Sequence, residues 1–309
     1  MSEKFDDYEL QDGCTVQPQT KKELVDTIKR TCKRKGWNCD LNFIDTSKIT
    51  DMSRLFANIP TCYGGYGFRK FNCDISKWNV SNVKNMDCMF SGAKKFNQPL
   101  NDWNTSNVES MNYMFFDAIS FNQPIENWDV SKVTTMHYMF GYAKNFNQPL
   151  DKWNVSKVKS MKGMFAHAKN FNQPIENWDV SNVSSMCSMF KNAISFNHPL
   201  EKWNVSNVEI MSHMFEEAKN FNQPLNNWNT SKVTNMARMF KKAISFNQPL
   251  DEWDTKNVSK IGNIDMFKDA ENFDNKIPSL KNFEFKRFDD KCFLLGLSHK
   301  YAEKHQHDF

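Results

Sequence analysis

Apolar residues come back along this chain in threes. In the stretch from Ser81 to Val130, Val83, Met86, Met89, Phe90 and Ala93 stand at offsets of three, six, seven and ten, which is one stripe of an α-helix rather than the alternation of a strand. Ser81 lies just before the stripe and recurs as Ser106, Ser131, Ser156, Ser181, Ser206 and Ser231. A hydroxyl there can accept from the first free helical amides, so the pattern predicts a short helix with a serine N-cap. Phe96-Asn97-Gln98-Pro99-Leu100 follows, and its proline, lacking an amide hydrogen, predicts a turn. Trp103, Asn104 and Thr105 then alternate apolar, polar and β-branched, which predicts a strand of about three to five residues with Trp and Thr inward.

The whole unit repeats. Trp78, Trp103, Trp128, Trp153, Trp178, Trp203, Trp228 and Trp253 each stand 25 residues after the last, and a fixed period of that length marks one supersecondary unit copied along an axis. The expected fold class is α/β: a solenoid with one short strand and one short helix per repeat, strands forming a parallel sheet on one face, and helical caps. One copy buries about eight side chains at ~1.5–3 kcal/mol each, against ~1.5 kcal/mol for ordering each residue, so a single repeat is expected to be unfolded. Asn72, Asn97, Asn122, Asn147, Asn172, Asn197, Asn222 and Asn247 follow the turn phenylalanine. A side-chain amide there can bond the backbone of its own turn and of the next rung. Gln98, Gln123, Gln148, Gln173, Gln223 and Gln248 are expected to help it, with His198 and Cys73 as substitutions.

The unit, read as Trp-Asn-Val-Ser-Lys-Val-x-x-Met-x-x-Met-Phe-x-x-Ala-x-x-Phe-Asn-Gln-Pro-Leu over residues 153 to 175, resembles the BspA-like leucine-rich surface-protein repeats, the group called domain of unknown function 285. The resemblance extends upstream over Asp40 to Phe56 with Ile44 in the tryptophan place, which makes nine copies. It implies a right-handed leucine-rich-repeat-like solenoid with a binding or surface role and no catalytic residues to carry over. Relatives occur in bacterial surface proteins behind an export segment, and in large DNA viruses and protists.

The expected organisation is an N-terminal arm at 1–19, a capping helix at 20–40, the array at 41–278 with a loop insertion at 57–70, and a C-terminal cap and tail at 279–309. Thr20-Lys21-Lys22-Glu23 is a capping box, and Leu24, Val25, Ile28 and Cys32 continue it at helical spacing. At the far end Lys256 replaces the serine and the register slips by two, so that Met266 and Phe267 take the Met-Phe place.

Composition narrows the function. The 40 basic and 36 acidic residues leave a net charge of +4, too little and too mixed for a nucleic-acid footprint. Lys21 to Lys35 is the one basic stretch, and an amphipathic cap needs a solvated face anyway. Met1 to Leu10 is acidic and has no apolar run, which is not a secretory signal, and no segment approaches the ~20 apolar residues of a membrane span. The expected setting is intracellular or a virus particle. The eight cysteines show no regular spacing and read as reduced thiols.

No Gly-x-Ser-x-Gly elbow, phosphate loop, Cys-x-x-Cys pair or His-Glu-x-x-His helix is present. His137, His167, His198 and His213 fall at different offsets in different copies. No catalytic residue, metal ligand or cofactor is therefore expected. The leading expectation is a non-enzymatic interaction or structural scaffold with a protein partner. The alternatives are a cell-surface adhesin and, in another class, a carbohydrate-active enzyme. Function should lie where the period is broken. Tyr113, Phe116, Tyr138 and Tyr142 fall close together on adjacent copies outside the apolar stripe, and Tyr63 and Tyr66 lie in the insertion. These are the candidate partner surface, although packing on neighbouring copies explains the first four equally well. The polar residues flanking each tryptophan offer a second, hydrogen-bonding face. Partner identity and oligomeric state are left open.

Overall fold

Helix α1 occupies Lys21–Lys35. The Thr20 hydroxyl accepts from the Glu23 amide at 3.2 Å and the Glu23 carboxylate accepts from the Gln19 amide at 2.8 Å, so both ends of the capping box are made. Gly36, at φ 90°, ends the helix by donating its amide to the Cys32 carbonyl. Leu24, Val25, Ile28 and Cys32 are buried against the first coil. The computed structural model describes residues 15–58, 66–259 and 261–274. Most of the N-terminal arm, Tyr63 and the whole C-terminal cap and tail at 279–309 lie outside them.

The copies stack as coils, and their backbone accounting shows how. Met86, Cys88, Phe90 and Gly92 donate their amides to Ser110, Asn112, Met114 and Phe116 in the next copy, while Met89, Ser91 and Ala93 donate three residues back within their own. Alternate amides thus serve the coil itself and its neighbour, which leaves few backbone groups stranded. The same pattern runs from Met52, whose amide reaches Asn85, to Lys242, whose amide reaches Lys268 after the two-residue slip. The side chain of each ladder asparagine from Asn72 to Asn222 accepts from the next asparagine's amide, as in Asn147 to Asn122 at 2.9 Å and Asn172 to Asn147 at 2.9 Å. Gln148, Gln173, Gln223 and Gln248 reach the same oxygens, and His198 reaches the Asn172 backbone.

Side chains stack in the same register. Phe90, Phe115, Phe140, Phe165, Phe190 and Phe215 form one column with ring centroids 5.4 to 5.8 Å apart. Phe96, Phe121, Phe146 and Phe171 form a second at 6.0 to 6.2 Å, close to the offset-stacked optimum. Each tryptophan from Trp78 to Trp253 is buried, and its indole N–H donates to the Leu or Ile carbonyl of the previous coil, as Trp153 does to Ile125 at 3.1 Å.

The α/β solenoid reading is wrong. Among the described residues α1 is the only α-helix, a 3-10 turn at Ile261–Asn263 is the only other helical element, and isolated parallel bridges such as Ser160 to Ser185 stand where a sheet was expected. The leucine-rich-repeat architecture implied by the resemblance falls with it. Spacing by threes is shared by a helix and by a chain of turns, because residues i and i+3 of successive turns also point the same way. Here Met164 bonds Met161 and Ala168 bonds Phe165, and the third residue of each such turn has positive φ: Gly163 at 61° and His167 at 61°. That is the demand of a type II turn, and it excludes a helix. Amides that go alternately to the next coil and to the residue three back also do not follow the four-residue ladder of a helix. Ser81 is accordingly no N-cap. Its amide donates to the Asn79 side chain two residues back, an Asx turn, and Asp129 and Asp179 do the same for Ser131 and Ser181. The Trp-Asn-Val/Thr segments form no strand and lead straight into those turns.

Positive φ falls on ordinary residues in most copies, including Tyr138 at 50°, Arg238 at 56° and Lys242 at 57°. Left-handed backbone costs an L residue about 1–2 kcal/mol and is worst for β-branched side chains. Lys242→Val should therefore be less stable than Lys242→Gly by about 2 kcal/mol in urea unfolding. Equal midpoints for the two variants would remove the strain argument.

Candidate functional site

Residues shared by every copy are spent on columns, ladders and turns, so differences between copies are what remain for function. They collect on the turn face, at the positive-φ positions and their neighbours, which point away from the phenylalanine columns. In the first column Arg54, Cys88, Tyr113, Tyr138, Gly163, Ser188, His213 and Arg238 follow one another up the stack, and in the second Gly92, Asp117, Tyr142, His167, Asn192, Glu217 and Lys242.

Tyr113, Phe116, Tyr138 and Tyr142 come together here. Tyr113 and Tyr138 stack at 5.3 Å with planes 13° apart, Phe116 meets Tyr138 edge-on at 6.1 Å, and Phe116 lies 5.2 Å from Tyr142. Tyr142 continues onto His167 at 4.1 Å. The rings line one side of a groove of about 650 Å³. The polar lining comes largely from the residue after the first methionine of successive turns, Asp87, Asn112, His137 and Lys162, with Arg54 and Cys88 beside them. Asp87 accepts from the Asn112 amide at 2.7 Å, and Asn112 accepts from the His137 amide at 2.9 Å, so this wall is tied from coil to coil.

Two glycines make room for the groove's rings. A Cβ on Gly141 would lie 3.0 Å from the Phe116 ring, and one on Gly163 would clash with three carbons of the Tyr138 ring. Ser188 and Cys88 occupy the Gly163 place in other copies, so glycine is not required there by the turn alone. It is required because Tyr138 lies flat across it. The missing side chains and the added rings are one arrangement, and this is a signal that sequence reasoning passed over.

The groove is neutral along its aromatic side. Burial raises the Tyr138 phenol above its ordinary value. Burial, with Lys162 nearby, lowers His137, and burial with Lys191 lowers His167. Asn192 donates to His167 Nδ1 at 3.0 Å, which leaves the proton on Nε2.

Further along the face the aromatics give way to charge. Glu216 is buried, with Lys191 and His213 each 2.6 Å from its carboxylate. Burial works against ionisation, but the hydrogen bonds from His213 and Lys191 outweigh it and hold the carboxyl at about 2. A depressed carboxyl contributes stability that is present above its unfolded value of 4.5 and is lost as pH falls through about 2. Glu216→Gln should cost about 3 kcal/mol at neutral pH, and the gap from wild type in thermal unfolding should close between pH 4.5 and pH 2. A pH-independent gap would show that the charge is not the cause.

The remaining sequence candidates are scattered. Tyr66 lies apart from the groove, 6.3 Å from Phe68 and with the Lys29 ammonium 5.4 Å from its ring. Lys21 bonds Asp51 and Ser53, so part of the basic helix face ties the cap to the first coil. The polar face beside the tryptophans is partly consumed by its own Asx turns. His198 and His213 stand with Asn172 and Glu216, away from each other. The cysteines, irregular in sequence, do something the spacing hid: Cys32, Cys39 and Cys73 place their sulfur atoms within 4.8 Å of one another. Among the described residues no helix is long and apolar enough to cross a membrane.

No curated protein matches the chain. The family model described as "Mycoplasma protein of unknown function, DUF285" matches three times in tandem, over residues 25–148, 121–216 and 198–293. These matches run from within α1 through all the stacked coils, including the turn face and its groove, and so the chain belongs to the DUF285 family of tandem-repeat proteins.

Proposed function

We propose that this protein is a non-enzymatic interaction module that holds a segment of a protein partner in the aromatic groove. The observation behind this reading is the pairing of Gly141 and Gly163 with the rings of Phe116 and Tyr138. Departures from a strict repeat have here been combined into one concave, amphipathic surface. Rings stepping from coil to coil suit apolar and proline side chains of an extended chain, while Asp87, Asn112 and Lys162 offer hydrogen bonds and charge to its backbone and polar side chains. Asp87 is the one carboxylate in the groove lining, whereas glycoside hydrolysis takes a pair, which favours binding over the carbohydrate-active alternative.

The test is affinity capture from the native source with wild type and with Tyr113→Ser/Tyr142→Ser, both first shown to unfold at similar temperature. A protein retained by the wild type and lost with the variant supports the groove. Equal retention moves the binding surface elsewhere. Polysaccharide cleavage by the purified chain would overturn the non-enzymatic reading. The source of the captured partner, virus particle or cell surface, would then give the setting.

A further inference from the structure

A second place breaks the repeat, at residues that do not line the groove. Cys32 lies in the last turn of α1, and Cys39 lies in the connection beyond it. Cys73 takes the place that glutamine holds in most copies, next to the ladder asparagine Asn72. Three separate parts of the chain bring their thiols to one point, with Cys32 and Cys73 sulfurs 3.6 Å apart and Cys39 and Cys73 sulfurs 3.4 Å apart. We propose that Cys32, Cys39 and Cys73 form a three-thiolate site for a soft divalent cation, Zn²⁺, which ties the N-terminal cap to the first coils.

The geometry suits that ion. Zn–S bonds of about 2.3 Å in a tetrahedral site put sulfur atoms about 3.8 Å apart. The observed separations need to open by only a few tenths of an ångström. A disulfide needs its sulfurs at about 2.05 Å, so either close pair would have to move by more than an ångström and would leave the third thiol without a partner. Thiolate ligands select Zn²⁺ over the harder cations. Cys32 and Cys73 are buried and Cys39 is partly exposed, so the ion enters beside Cys39, and its fourth position is taken by water or a further ligand from that side. Binding releases the three thiol protons to solvent. Three thiolates and a dication leave one negative charge, and Lys33, Arg34 and Lys35 directly follow Cys32 in the helix, where their field offsets it.

The experiment uses the full chain, reduced without thiol reagents, desalted, and titrated with Co²⁺ and then with Zn²⁺. The expected result is one equivalent of Co²⁺ bound with a thiolate-to-metal charge-transfer band and the strong visible bands of a tetrahedral site. One equivalent of Zn²⁺ should bleach these bands and raise the unfolding temperature. Cys73→Ser and Cys39→Ser should each lose the bands, and Cys187→Ser should keep them. Cys39 is the least buried ligand, so its variant preserves the fold, checked by tryptophan fluorescence. The proposal is overturned if the wild type shows no bands, or if they survive in both Cys39→Ser and Cys73→Ser. It is also overturned if Cys73 is found in a disulfide when thiols are blocked at lysis.

Discussion

Phe165→Ala should destabilise the stack by about 3–5 kcal/mol, the largest effect expected of any single truncation. Phe165 is fully buried midway along its column, 5.7 Å from Phe140, 5.8 Å from Phe190 and 3.9 Å from Phe171 in its own coil. Removing its ring leaves a cavity whose walls are rings held on both sides by backbone bonds between coils, so they cannot easily close in. A stack whose coils contact only their neighbours also has only nearest-neighbour coupling to transmit cooperativity. The lesion should therefore do more than lower the midpoint. The coils before and after the one that holds Phe165 should begin to unfold separately, seen in urea as a broader transition with a smaller m-value. Phe165→Leu, which keeps most of the volume, should cost much less. A lowered midpoint with an unchanged m-value would show that coupling along the stack does not depend on this column.

The second large effect is expected at Gly163→Ala, at about 2–4 kcal/mol, from a methyl group forced into a ring and an L residue placed at positive φ. About half of that cost belongs to Tyr138, because the added carbon would collide with its ring. In a Tyr138→Ala background the same change should cost only the backbone share, about 1–2 kcal/mol. The double-mutant cycle in thermal or urea unfolding measures the difference. If both backgrounds lose the same stability, the glycine serves the turn and not the groove. The cycle thus separates a groove built from paired changes from an accidental gap, without knowledge of any partner.

Much of the stacking could be read from the chain. Repeated Asn, buried Trp and the two phenylalanines per copy gave the period, the register slip before Met266, the asparagine ladder and the inward faces, because these positions are identical in copy after copy. The helix and strand could not be read correctly, because periodicity reports which side chains point together and not which backbone points them. A clue was present at the third turn position, where Cys88, Tyr113, Tyr138, Gly163, Ser188, His213 and Arg238 include a glycine and no β-branched residue. That is a requirement of left-handed backbone rather than of a helix. The four groove aromatics were legible as a cluster because they lie one copy apart. The role of Gly141 and Gly163 was not, because it depends on a ring crossing from one coil onto the next.

The sequence by itself determined that one unit is copied along an axis, which residues face inward and where copies differ, since a strict period leaves core positions no freedom. Only the tertiary structure decided that each copy is a chain of turns. About half of the amides in the Met-Met-Phe segments find their acceptors 24 residues on, or 26 in the last copy, in another coil, and a hydrogen bond of that span leaves no mark in local spacing. The same distance decided the groove and the cysteine cluster, which exist because stacking brings Tyr138 over Gly163, and Cys73 against Cys32 and Cys39.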